Sequence, residues 1–337
     1  MEILLSIPIV ISILATLFIL PAWIKRAKHV GLVGKDMHKV DAKEKVAEAG
    51  GVSVIIGFIL GVLSYIAIKT FYFKSYDGAL EIFSLISLIL IVAFIGFTDD
   101  IVGWKIGLSK TTRIFFLIFA SFPIIVINAG KFGVANTVLG ASYPLILMVI
   151  GIVGACATFN FLAGYNGLET SQGILLLSAL TIVTYLNGTT ELSLIGLIMI
   201  GALGIFYLFN RFPAKTFPGD VLTYAIGGLV AVMAIFGHIE KIAVFFFIPY
   251  ILETLLKLRG KLKKESFAKV NADGSLEMPY DKVYGLEHLA IYLLKKIKPN
   301  KKVYEKEVVY LINIFQLVII IVGFIIFKVN PFSIFSA

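Results

Sequence analysis

Residues 94–104 read FIGFTDDIVGW. The first half ends an apolar run over 81–98, and that run stops on two adjacent carboxylates, Asp99 and Asp100. Read as a helix, the run places both at its C-terminus, the negative end of the backbone dipole. Neighbouring carboxylates also repel each other. The pair therefore predicts a cation beside it.

Composition says what surrounds this stretch. The 337 residues are 59% hydrophobic and 15% charged, against roughly 25% charged in a soluble domain. About ten apolar runs, each able to cross roughly 30 Å of hydrocarbon, lie near 3–24, 49–70, 81–98, 111–129, 143–163, 171–186, 191–210, 221–238, 241–257 and 307–328. The expected fold is an all-α integral membrane protein, one polytopic domain over residues 1–337. The first run reads as a retained span, because no basic segment precedes it and Lys25 and Arg26 follow it. Cys156, the one cysteine, falls inside a span, so no disulfide forms within the chain.

A net charge of +9 invites a nucleic-acid reading, which its distribution opposes. Numbering loops from the amino terminus, the odd loops carry 25 of the 30 Lys and Arg residues. Basic loops mark the cytoplasmic side, so odd loops are expected in the cytoplasm and both termini outside. The long hydrophilic insert, 258–306, precedes the last run. Within it, Asp273-Gly274 reads as a hairpin turn, and Leu286–Lys298 as an amphipathic helix suited to a membrane surface; a solvated basic loop attracted to anionic lipid is an equal reading of the insert.

Unusual polar groups collect at the same edge. GKDMHK (34–39), VAEAGG (46–51), TDDIVGWKIGLSK (98–110), FNFLAGYNGLETSQG (159–173) and NRFPAKTFPGD (210–220) all belong to odd loops. Asp99, Asp100 and Asp220 are carboxylates, and Asn160, Asn166 and Gln172 are amides. Oxygen ligands of this kind suit Mg²⁺ together with substrate phosphates. Lys110, Arg113 and Lys215 are placed to hold phosphate. Taken singly, Asn166-Gly167 reads as a turn, and Pro218-Gly219-Asp220 as a turn opening a helix with Asp220 as N-cap. Their coincidence on one side favours a phosphoryl-transfer site, in which positioning and charge neutralisation supply most of the catalysis.

With these motifs assembled, the chain resembles the polyprenyl-phosphate N-acetylhexosamine-1-phosphate transferases, a glycosyltransferase superfamily. It looks most like the eukaryotic and archaeal branch that makes dolichyl-diphosphate N-acetylglucosamine. The resemblance runs through GKDMHK, AEAGG, GFTDDIVG, FNFLAGYNGLETSQG, FPAKTFPGDVLTYAIGG and KVNADGSLEMPY. It implies that a lipid phosphate attacks the β-phosphorus of a UDP-sugar with Mg²⁺ (or Mn²⁺) bound, releasing UMP. It implies Asn166 and Asp220 as metal ligands, Asp99 and Asp100 as the catalytic pair, and Lys110 as a phosphate-binding lysine. It further implies Phe217 against the uracil, and Glu48, Asn160, Gln172 and Lys39 near nucleotide or substrate. The implied partners are UDP-N-acetylglucosamine or a related UDP-sugar, dolichyl or polyprenyl phosphate and the bilayer. Nucleic acid is not among them, and a homodimer is one expected assembly. Two departures stand out. Gly103 replaces an asparagine of the eukaryotic relatives, and KKESFAKVN (263–271) lacks the arginine and histidine of their sugar-contacting run. The donor hexosamine is therefore left open. An ion-coupled secondary transporter is the rival reading, but its carboxylates belong at mid-membrane on broken helices; a lipid-binding scaffold would dispense with Asp100 and Asp220.

Overall fold

A computed structural model describes residues 3–40, 45–103, 107–129 and 138–331. Lys43, Lys105 and Lys131 of the charge distribution, and residues 130–137 of an expected outward loop, lie outside them. In chain order the elements are α1 (Ile7–Val30), a short ladder of β1 (Val33–Lys35) and β2 (Lys45–Ala47), α2 (Gly51–Phe71), α3 (Ala79–Val102), α4 (Lys110–Ala120), α5 (Phe122–Ala129) and α6 (Val138–Phe159). Then come α7 (Leu168–Leu186), α8 (Thr190–Asn210), α9 (Asp220–Phe236), α10 (Glu240–Phe246) and α11 (Ile248–Arg259). The strands β3 (Lys269–Val270) and β4 (Leu276–Glu277) pair antiparallel across the Asp273-Gly274 turn, and α12 (Leu286–Ile297) and α13 (Glu305–Ile326) complete the series.

Seven of the expected ten runs are long and apolar enough, among the described residues, to cross a membrane: α1, α2, α3, α4 continued by α5, α7, α8 and α13. The other three differ. In α6 the described side chains cover only Leu145–Phe159, which counts as a shorter apolar helix, as does α9, which starts at Asp220. The run at 241–257 is divided into α10 and α11 around Phe247, with Pro249 in the first turn of α11. Proline suits the start of a helix and interrupts its interior.

The core is arranged around α9. Val221–Ile235 are all buried, enclosed by α2, α3, α6 and α7. Peripheral helices instead turn large apolar side chains outward, with Phe18 of α1 73% exposed and Ile325 of α13 71% exposed, as a lipid-facing surface requires. Small residues set the close approaches. A Cβ on Gly57 of α2 would lie 2.2 Å from Thr16 Oγ1 of α1, so the Gly57/Gly61 pair packs helices, as small residues do in membranes. A Cβ on Gly96 would lie 2.4 Å from the carbonyl carbon of Asp220. That missing methyl allows the end of α3 to meet the start of α9.

Candidate active site

The end of α3 and the start of α9 carry three carboxylates, and the contact at Gly96 holds them together. Asp100 Oδ1 accepts the backbone N–H of Asp220 at 2.8 Å, and its Oδ2 accepts that of Val221 at 3.2 Å. These are orphan donors of the first turn of α9, at the positive end of that helix dipole. The N-cap of α9 is Gly219, so Asp220 is not the cap that the turn motif suggested. Asp100, from another helix, does the capping.

Asp99 is neutralised differently. Its Oδ1 accepts the Leu108 N–H at 2.6 Å, and its Oδ2 the Nη2 of Arg113 at 2.6 Å. Arg113 Nη1 reaches Asp220 Oδ2 at 3.1 Å and the Tyr224 hydroxyl at 3.3 Å, while its Nε donates to the Leu108 carbonyl at 3.0 Å. Asn160 Nδ2 donates to Asp220 Oδ1 at 2.6 Å and to Thr223 Oγ1 at 2.9 Å. The cation demanded by the aspartate pair is thus supplied in part by the protein: a guanidinium for Asp99 and helix amides for Asp100.

A second group lies at the same end of the bundle. Asn166 donates its backbone N–H to Glu305 Oε1 at 2.6 Å and its Nδ2 to Asp36 Oδ2 at 2.9 Å. These bonds join the loop before α7 to the β1–β2 connection and to the start of α13. Lys39 Nζ is 3.6 Å from Asp36 Oδ2, and His38 Nδ1 is 3.5 Å from Glu305 Oε1. Phe217 and Glu48 form a third group, both bordering Gly34, where a Cβ would fall 3.3 Å from the Phe217 ring and 1.9 Å from Glu48 Oε1. Backbone bonds from Phe217 N–H to the Ala47 carbonyl and from Gly50 N–H to the Phe217 carbonyl fix this arrangement.

The matches with known proteins fit this geometry. Residues 82–238, from α3 through α9, match the family model for glycosyl transferase family 4. A relative from Saccharolobus solfataricus, named as a UDP-N-acetylglucosamine–dolichyl-phosphate N-acetylglucosaminephosphotransferase, is 35% identical over 85% of this chain and 87% of its own length. The chain belongs to glycosyl transferase family 4. A Sulfolobus acidocaldarius relative of the same name is 32% identical over 85% of this chain and 86% of its own. A phospho-N-acetylmuramoyl-pentapeptide-transferase of Streptococcus pneumoniae is 26% identical over 73% of this chain and 77% of its own.

Within this family member, the remaining sequence candidates fall in different places. Lys110, exposed at the start of α4, donates to the Leu262 carbonyl at 2.6 Å, tying α4 to the segment after α11. Gln172 is fully buried, bonded to Asn313 Oδ1 of α13 at 2.8 Å and to the Tyr250 hydroxyl of α11 at 3.3 Å. It is engaged in helix packing rather than with the aspartates. Among the described contacts none joins Asn166 to Asp220. Arg113, expected to hold phosphate, instead bridges Asp99 and Asp220. Asp36, Glu305 and Tyr224 were not among the named site residues, although Glu305 did carry a signal, a charge in the first turn of an apolar helix on the basic side.

The donors available to a cation are hard oxygens. The Asn166 Nδ2 faces Asp36 and Glu305, at 2.9 and 3.4 Å, which leaves Oδ1 as the free side of that amide. Asp220 and Asp99 retain unused lone pairs on each carboxylate oxygen. Hard oxygens of this kind suit Mg²⁺ or Mn²⁺, although among the described contacts Asn166 and Asp220 belong to separate groups. Asp36, His38 and Glu305 also cluster closely enough to suggest a metal group. His38 Nε2 accepts the Ala268 N–H at 3.2 Å, which leaves Nδ1, 3.5 Å from Glu305 Oε1, without a hydrogen bond. Asp36 and Glu305 are themselves bonded to Asn166, so these two carboxylates clamp that residue.

Proposed function

We propose that this chain transfers N-acetylglucosamine-1-phosphate, or a closely related N-acetylhexosamine-1-phosphate, from a UDP-sugar to dolichyl or polyprenyl phosphate. UMP leaves and a lipid-diphosphate-linked sugar remains. The observation that carries this reading is the group of three aspartates shared by α3 and α9, set among amides and basic residues at one end of a helical bundle. The names of its archaeal relatives support the donor and acceptor.

Asn166 and Asp220 would hold Mg²⁺ (Mn²⁺ as a substitute), which when bound neutralises diphosphate charge. Asp100 fixes the start of α9 and so aims Asp220. Asp99, held by Arg113 and the Leu108 amide, orients or deprotonates the acceptor phosphate for direct attack. Phe217 stacks on the uracil beside Glu48, and Lys110 and Lys39 attract phosphate. The site faces the cytoplasm, with both termini outside. A ten-span layout accommodates α6, α9 and the broken α10–α11 pair as three further crossings, and a homodimer is the proposed assembly.

The test is UMP release by purified protein given UDP-sugars and a dolichyl-type acceptor with Mg²⁺. Asp220→Asn and Asp100→Asn should each lower turnover at least about a hundredfold while the protein stays folded. Retained turnover in Asp220→Asn, or solute flux without UMP release, sinks the reading.

A further inference from the structure

Arg113 does more than balance charge. Its planar fork spans two helices, with Nη2 on Asp99 Oδ2 at 2.6 Å and Nη1 on Asp220 Oδ2 at 3.1 Å. The side chain is 28% exposed, so water and ligands reach it. Two further bonds, to the Leu108 carbonyl and the Tyr224 hydroxyl, do not involve the carboxylates. They keep the guanidinium at the site even when its acidic partners are taken.

We propose that Arg113 is a built-in competitor of the divalent cation for Asp220, and that the diphosphate of the nucleotide relieves the competition. The inference rests on the divalent-ion reading above. A divalent ion on Asp220 meets a unit positive charge about one hydrogen bond away, and like charges at that separation repel strongly where water is partly excluded. By reciprocity, the ion weakens the hold of Asp220 on Arg113 to the same extent. A diphosphate changes the balance, because its oxygens offer the guanidinium a charge-assisted, bidentate partner. Metal alone therefore binds weakly, and metal with nucleoside diphosphate binds cooperatively. The competing interpretation is a static rivet between α3 and α9, with no bearing on metal affinity.

The experiment is a Mn²⁺ titration of the purified full-length protein by electron paramagnetic resonance, with and without UDP. Arg113→Met should bind Mn²⁺ alone on the order of tenfold more tightly than wild type. The additional tightening caused by UDP should shrink. Arg113→Lys keeps a charge but not the fork and should lie between. A merely damaged site would bind more weakly, so the sign separates the two. Arg113→Gln, which keeps a donor for Asp99, repeats the measurement if the methionine variant does not fold. Equal or weaker Mn²⁺ affinity in the neutral variants, with binding still lost in Asp220→Asn, overturns the proposal and spares the metal site. Binding that survives Asp220→Asn overturns the metal reading itself, and this inference with it.

Discussion

Glu48 shows how burial at this site is felt by a single group. It lies just before α2, and burial, reinforced by the charge of Asp220, pushes its carboxyl up from 4.5 to about 7. Between those values the folded chain holds a proton that the unfolded chain has released. Its stabilising contribution is complete below the ordinary carboxylate range and is lost as pH rises through about 7. Glu48→Gln removes this dependence, so its melting temperature relative to wild type should rise between about pH 5 and pH 8. A difference that stays flat over that range would contradict the assignment. Glu48 was legible in AEAGG only through resemblance. Its electrostatic neighbour, Asp220, is 172 positions away and no local pattern announces it.

Helix contacts decide whether the carboxylates meet. The α3–α9 approach depends on Gly96, where a side chain would strike the Asp220 backbone at 2.4 Å. Gly96→Val should cost about 1–3 kcal/mol by overpacking. It should also lower UMP release at least about tenfold, because Asp99 and Asp100 move away from α9. Gly154→Ala on α6 is the control, since a Cβ there meets nothing within 4 Å; its melting temperature and turnover should match wild type. Equal effects of the two substitutions would remove Gly96 from the account. Most helix positions followed directly from apolar runs. The division of 241–257 into α10 and α11 did not, although Pro249 was visible, because a proline in an apolar run either kinks a helix or starts a new one, and packing decides which.

At the scale of the whole molecule, every cluster described here forms where odd loops enter or leave the bundle. Cys156 is fully buried, so the native chain should be inert to a membrane-impermeant maleimide. Lys74→Cys and Lys263→Cys, at exposed positions of opposite ends, should then label from opposite sides of sealed vesicles. Lys263→Cys should react only when the cytoplasmic face is open. Labelling of both from one side would reverse or break the proposed topology.

Composition and the spacing of apolar runs determined the membrane-embedded helical class, because crossing hydrocarbon requires uninterrupted stretches that satisfy their own backbone. The distribution of lysine and arginine pointed to one charged face, and the short motifs were enough to place the chain beside its family. The pairing of charges was decided only in three dimensions. Asp100 caps a helix 120 residues further on, and Arg113 joins Asp99 to Asp220. Asn166 is clamped by Asp36 and Glu305 instead of lying in contact with Asp220. Coulomb energy depends on distances of a few ångströms between groups remote in sequence, and those distances are set by which helices pack together.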